Sequence, residues 1–308
     1  MSTKHTNLIV SSAPHVNNPV DTKSIMRDVV IALCPALLVS IYVFGARALV
    51  LTAVCAAACV IFEGATRKLL GRPQTIGDWS AVVTGVILAF NLPVTLPLWM
   101  AIVGCFVAIV IVKQVFGGLG QNFANPAITG RIILLISFAG KMTDWATGYP
   151  DAISGATPLA AYGTEAQPAV MNLFLGNING CLGETSKLAL LIGFAYLLFR
   201  RVITWHTPVA FVGTVFVCMA LLGQNPVYQV LSGGLMLGAI FMATDYATTP
   251  SNSKGRLIFG VGAGLLTVLI RVFGNYPEGV SFAILLMNIM TPHIENLTES
   301  KPLGGAKA

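Results

Sequence analysis

Apolar residues occur along the chain in long blocks, at about 29–46, 48–62, 79–92, 95–115, 126–140, 188–204, 207–222, 227–244, 256–274 and 279–292. Blocks of this length and character predict transmembrane helices, about ten of them. Several are shorter than the roughly 20 residues that a perpendicular helix needs to cross the hydrocarbon layer. One of them, 79–92, ends in AFNLP, so the pattern predicts broken or tilted spans shielded by their neighbours. Two regions depart from it: the polar first 24 residues, and a stretch of about 45 residues after the fifth block that is mostly small and polar.

Composition agrees with the pattern. Hydrophobic residues make up 55% of the 308 and charged residues 10%, against roughly 25% charged in a soluble domain, so an all-α integral membrane protein is expected. The polar start has no apolar run ahead of a cleavage site, so the first span is expected to direct insertion itself. A net charge of +6 would suggest nucleic acid in a soluble protein. Here its distribution follows membrane topology instead, and no nucleic-acid partner is expected.

With the N-terminus in the cytoplasm, fourteen basic residues fall on that side: Lys4, Lys23, Arg27, Arg67, Lys68, Arg72, Lys113, Arg131, Arg200, Arg201, Lys254, Arg256, Lys301 and Lys307. Arg47, Lys141, Lys187 and Arg271 fall on the other. The bias places both termini in the cytoplasm and the 141–187 loop outside. Lys113 and Arg131 read as anchors of one cytoplasmic end.

The two halves resemble one another, which suggests an internal repeat although apolar helices also resemble one another by chance. DWSAVVTGVILAF (78–90) resembles VYQVLSGGLMLGAIF (227–241), and KQVFGG (113–118) resembles IRVFGN (270–275) at corresponding places within five spans. Because five is odd, the repeats must be inverted, an architecture of transporters and channels. The expected organisation is a cytoplasmic segment 1–25, a five-helix repeat 26–140, the outer loop 141–187, a second five-helix repeat 188–292 and a cytoplasmic tail 293–308.

Candidate chemistry is sparse. Five of the six cysteines fall in apolar runs with no metal-ligand spacing, and Cys55 and Cys59 read as small buried residues. No catalytic side chain or metal ligand is expected, and no dinucleotide fingerprint is present. In GGLGQNFANPAITGR (117–131), Asn122 and Asn125 can read a polar ring edge, or Asn125 can simply cap the next helix. In SGATPLAAYG, Thr157 and Pro158 suit the start of a short surface helix. That geometry would also expose the Thr157 hydroxyl beside a helix N-terminus able to stabilise a phosphate. Glu63 and Asp245 are costly intramembrane acids, readable as parts of a cation path or as a helix-end charge and a cap for the ninth span.

DAISGATPLA (151–160) resembles the covalent flavin attachment motif of the family that holds the D subunit of the Rnf complex and the B subunit of the sodium-pumping NADH:quinone reductase. SSAPHVNNPVDTKSIMRDVVIALCPAL, LPVTLPLWMAIVG with KQVFGGLGQNFANPA, and FMATDYATTP match that family in order, so the resemblance spans nearly the whole chain. The short N-terminal region is closer to the Rnf member of the family. The resemblance implies FMN esterified to Thr157 by a flavin transferase that recognises Asp151, Ser154, Gly155 and Ala156. It also implies a second, non-covalent flavin such as riboflavin, for which Asn122 and Asn125 are the candidate contacts. The expected role is a flavin-carrying subunit in a bacterial inner membrane, coupling ferredoxin:NAD electron transfer to Na+ or H+ translocation. Ferredoxin and NAD would bind partner subunits, some of them carrying iron-sulfur clusters. A urea- or ammonium-type channel without cofactor is the alternative that the inverted repeat alone would suit.

Overall fold

The computed structural model describes residues 21–147, 153–154, 156–165, 167–274 and 279–299. It is helical throughout apart from one short β pairing in the loop between the halves. In the first half, α1 (Thr22–Phe44), α2 (Ala46–Leu69), α3 (Ser80–Phe90), α4 (Leu98–Phe106) and α5 (Pro126–Ser137) follow in order, with α4 prolonged by a π-helical stretch, Val107–Gln114. The loop carries α6 (Ala139–Met142), the two-residue strands β1 (Ala146–Thr147) and β2 (Ile153–Ser154), and α7 (Val170–Leu175). The second half holds α8 (Lys187–Phe199), α9 (His206–Leu221), α10 (Pro226–Leu231), α11 (Leu235–Leu237) with a π-helical continuation Gly238–Met242, α12 (Ser253–Phe273) and α13 (Val280–Thr298).

Three of these helices, α1, α2 and α12, are long and apolar enough to cross a membrane, and shorter apolar helices pack among them. Side chains such as Leu38, Ile61, Ile136, Phe199, Leu221 and Phe273 point outward and stay exposed, as lipid-facing positions must. Inside, Phe44, Leu51, Leu88, Phe90, Phe211 and Phe259 join one buried cluster.

The breaks arise where the residues demand them. Asn91 follows α3 directly and is succeeded by Leu92 and Pro93, and a proline after a helix end cannot continue it. Asn125–Pro126 and Asn225–Pro226 start α5 and α10 with an asparagine cap and a proline in the first turn. The Asn125 side-chain oxygen accepts from the N–H groups of Ala127 and Ile128 at 3.0 and 3.3 Å.

Glycines set one close helix contact. A Cβ on Gly260 would lie 2.8 Å from the Thr207 carbonyl, and one on Gly264 2.6 Å from Thr214, so α12 seats directly on α9. The halves meet where α1 packs on α8 and α5 on α13. The end of the connecting loop turns back into this core: Leu182 N–H donates to Leu92 O at 3.2 Å and Ser40 Oγ donates to Leu182 O at 2.5 Å.

Candidate functional site

Two polar regions are built at opposite ends of the 226–245 segment. The first is a cleft between the halves, lined by Met26 and Val29 of α1, Ser80 to Ile87 of α3, Lys113, Asn122, Asn125 and the 240–246 stretch. It brings Asn122 and Asn125 together with Asp245, which is distant from them in sequence. The Nδ2 of Asn125 donates to Met242 O at 3.4 Å, so its capping role and its place at this junction coexist. Asn122 Oδ1 is buried with no hydrogen-bond partner among the described residues, an unused acceptor in the lining of the cleft.

One wall of the cleft is ionic. Lys113 Nζ lies 2.6 Å from Glu63 Oε2 and donates to Ser80 Oγ at 2.6 Å, and both charged side chains are only 1% exposed. Thr75 Oγ1 donates to the other Glu63 oxygen at 2.7 Å, and Ser80 Oγ donates to Asp78 Oδ1 at 2.6 Å. Glu63 is therefore a buried, paired charge inside α2 rather than an interfacial helix-end charge, and Lys113 is its partner rather than an anchor. A buried ion pair of this kind is tolerated only when each oxygen and ammonium hydrogen finds a partner.

Asp245 does not cap α12, whose N-cap position is Asn252. Its carboxylate accepts instead from Ala247 N–H at 3.4 Å and Thr248 Oγ1 at 3.1 Å, shaping the break that follows the π-helical turn. From there it faces both the cleft and a wider vestibule lined by Thr249, Ser251, Thr291 and Glu295.

Arg131 is no anchor either. Buried in the second turn of α5, it donates to Asn91 Oδ1 at 3.0 Å and Ser281 Oγ at 2.9 Å, and lies 3.8 Å from Glu184 Oε1. Glu184 and Lys187, which the hydropathy pattern alone places in the 141–187 loop, are both buried, and Lys187 Nζ donates to Glu184 O. The signal available was a charged pair at the edge of the α8 apolar run. Met242 is held between Asn91, which donates to its sulfur at 3.2 Å, and Asn125, so this network borders the cleft.

The second region is the start of the same segment. The SGAT motif leads into a series of turns rather than the expected helix, and Thr157 is buried, 3% exposed, rather than presented to solvent. The reason is tertiary: Pro158 O accepts from the Tyr228 hydroxyl at 2.8 Å, pulling the loop onto α10. Thr157 Oγ1 accepts from Ala160 N–H at 3.3 Å. Ala156 is exposed and Ser154 lies in β2, whereas Asp151 and Gly155 lie outside the described residues. Cys55 and Cys59 are buried apolar residues, and no group of metal-ligating side chains occurs among the described residues.

The family model for the NQR2, RnfD, RnfE family matches residues 9–304. The D subunit of the Na(+)-translocating ferredoxin:NAD(+) oxidoreductase complex of Acetobacterium woodii is 50% identical, covering 98% of this chain and 96% of its own. The D subunit of the proton-translocating ferredoxin:NAD(+) oxidoreductase complex of Clostridium ljungdahlii is 40% identical, covering 96% of each chain. The D subunit of the ion-translocating oxidoreductase complex of Ectopseudomonas mendocina is 36% identical over the same shares.

Proposed function

The chain belongs to the NQR2, RnfD, RnfE family, and from this we infer that it serves as the D subunit of an Rnf-type complex in a bacterial membrane, coupling ferredoxin:NAD electron transfer to Na+ or H+ translocation. The observation that carries the reading is identity along almost the whole length to subunits of that name. Other Rnf subunits are its partners, and they would hold the ferredoxin and NAD sites.

Within that role, Thr157 would carry FMN through a phosphoester, and the cleft would take a second, non-covalent flavin. The residues suit both groups. Thr157 supplies a hydroxyl at the attachment position, and the unpartnered Asn122 oxygen offers an acceptor to a ring N–H. Flavin, when bound, supplies one-electron transfer. The chain supplies placement and charge: Lys113 lies at the cleft wall, paired with Glu63 at 2.6 Å. Asp245, opening toward both cleft and vestibule, has oxygens available to a hard cation outside lipid.

Two inverted five-helix repeats, 26–140 and 188–292, account for the pairing of α1 with α8 and α5 with α13, and for a broken third span in each half. Both termini would be cytoplasmic and the Thr157 loop outside, where a flavin transferase would act. A cysteine at exposed Glu165 should then react in whole cells with a membrane-impermeant thiol reagent. Labelling only after membrane rupture would reverse the orientation. The decisive experiment is the intact mass of the chain co-expressed with a flavin transferase: one added FMN supports this reading, and an unmodified chain favours a cofactor-free channel.

A further inference from the structure

We propose that Tyr228 is a positioning residue that latches the Thr157 loop shut, so that flavin attachment requires the loop to lift off α10 and leaves it lifted afterwards. This rests on the reading of Thr157 as the attachment residue.

The conflict that demands a latch is steric. Attachment joins Thr157 Oγ1 to the phosphorus of a flavin dinucleotide. The phosphoanhydride bond breaks, a nucleoside monophosphate departs with the bonding pair, and the hydroxyl proton passes to a base on the transferase or to water; no electrons change oxidation state. The oxygen must therefore be open to a phosphate, its flavin and an enzyme. In the structure it is not, since Thr157 is 3% exposed and its neighbour Pro158 is buried as well.

Tyr228 is fully buried, and its hydroxyl holds the carbonyl of Pro158, the residue next to Thr157, at 2.8 Å. The latch sits on a firm base, because Asn225 caps the start of α10 by accepting from Tyr228 N–H at 3.2 Å. Two further contacts complete the seat. The Tyr162 ring lies 5.1 Å from that of Tyr228, and its hydroxyl accepts from Asn225 N–H at 2.8 Å. Leu159 lies over Gly233, where φ is +62° and a Cβ would meet Leu159 at 2.7 Å. Glycine at this one position provides both the backbone turn and the seat for the loop.

By contrast, the loop's own backbone bonds among the described residues are short-range turn bonds: Ala161 N–H to Thr157 O at 2.9 Å, Tyr162 N–H to Leu159 O at 3.4 Å, Thr164 N–H to Ala161 O at 3.1 Å and Gln167 N–H to Thr164 O at 3.1 Å. Detaching it costs a handful of contacts and leaves the helices untouched. A phosphoester on Oγ1 is far bulkier than the hydroxyl it replaces at a side chain only 3% exposed, so the loop stays lifted.

The test uses the full-length chain purified without flavin, incubated with a flavin transferase and a flavin dinucleotide, and followed by in-gel fluorescence. Tyr228→Phe keeps the ring and deletes one hydrogen bond, so attachment should run roughly fivefold faster, the factor expected for losing one buried bond. An unchanged or slower rate overturns the latch. Hydrogen exchange on the wild-type chain is independent of any variant's folding: the Ala160 and Ala161 amides should be protected before attachment and lose protection after it. Equal protection in both forms also overturns the proposal. A wild-type chain that never gains flavin at Thr157 refutes the attachment reading itself, whereas modification at Thr157 with an unchanged Tyr228→Phe rate removes only the latch.

Discussion

The cleft and the Thr157 loop are both polar sites on a mostly apolar chain, but they are held by different means. At the cleft, charges are buried inside helices and locked to one another, as Glu63 is to Lys113 across α2 and the π-helical end of the fourth span. At the loop, turns rest on α10 and its ends through two tyrosine hydroxyls, one ring contact and one leucine. The difference teaches that chemistry inside the membrane is bound up with folding, because an unpaired charge there is costly. A residue to be modified after folding must instead be held by something separable.

The sharpest way to break the comparison is Thr157→Ala. It should abolish covalent flavin while leaving the chain inserted and folded, since the single bond to Ala160 N–H is worth about 1 kcal/mol. In-gel fluorescence and membrane yield measure the two halves of that statement. Flavin persisting on the variant would reassign the attachment residue.

Next in size is Lys113→Met. It strands a buried carboxylate and should destabilise the purified chain by about 3–5 kcal/mol, seen as a large drop in its unfolding temperature in detergent. Adding Glu63→Gln should recover most of that loss, because the pair is then gone rather than broken. A single variant as stable as wild type would show that the pair is dispensable to the fold.

Replacing both Asn122 and Asn125 with Ser tests the cleft without touching the loop. Serine still caps α5, so folding should change by less than about 1 kcal/mol, while the non-covalent flavin fraction falls and the covalent fraction stays. Retention of both fractions would reduce the pair to turn and cap.

Asp245→Asn should have the mildest effect. Asparagine keeps one of the two acceptor oxygens, that for Ala247 N–H, and puts an amide nitrogen opposite the Thr248 hydroxyl, which can turn to accept, so flavin reduction should fall less than ion transport in reconstituted vesicles. Equal loss of both would mean misassembly and would remove Asp245 from the ion path.

Much of this was legible in the order of residues. Apolar blocks must become helices in hydrocarbon, because no water is there to take up backbone N–H and C=O groups, so the helical class follows from composition and periodicity. Asn125–Pro126 predicts its own cap and first turn because capping is a local geometry. The SGAT motif likewise proposes Thr157 as the attachment residue by resemblance, with no need of coordinates.

Other features depended on residues far apart in sequence. Thr157–Pro158 has the local character of a helix start, yet Tyr228, seventy residues away from Pro158, draws it into turns and closes it off. Local preference is worth about a kilocalorie, and a few tertiary contacts outweigh it. Glu63, Lys113 and Arg131 look like end charges when counted along a line, since charge and hydropathy patterns carry no information on which helices will adjoin. Only packing decides that, because whether a charge inside the membrane is a liability or a site depends on the group placed a few ångströms from it by another part of the chain.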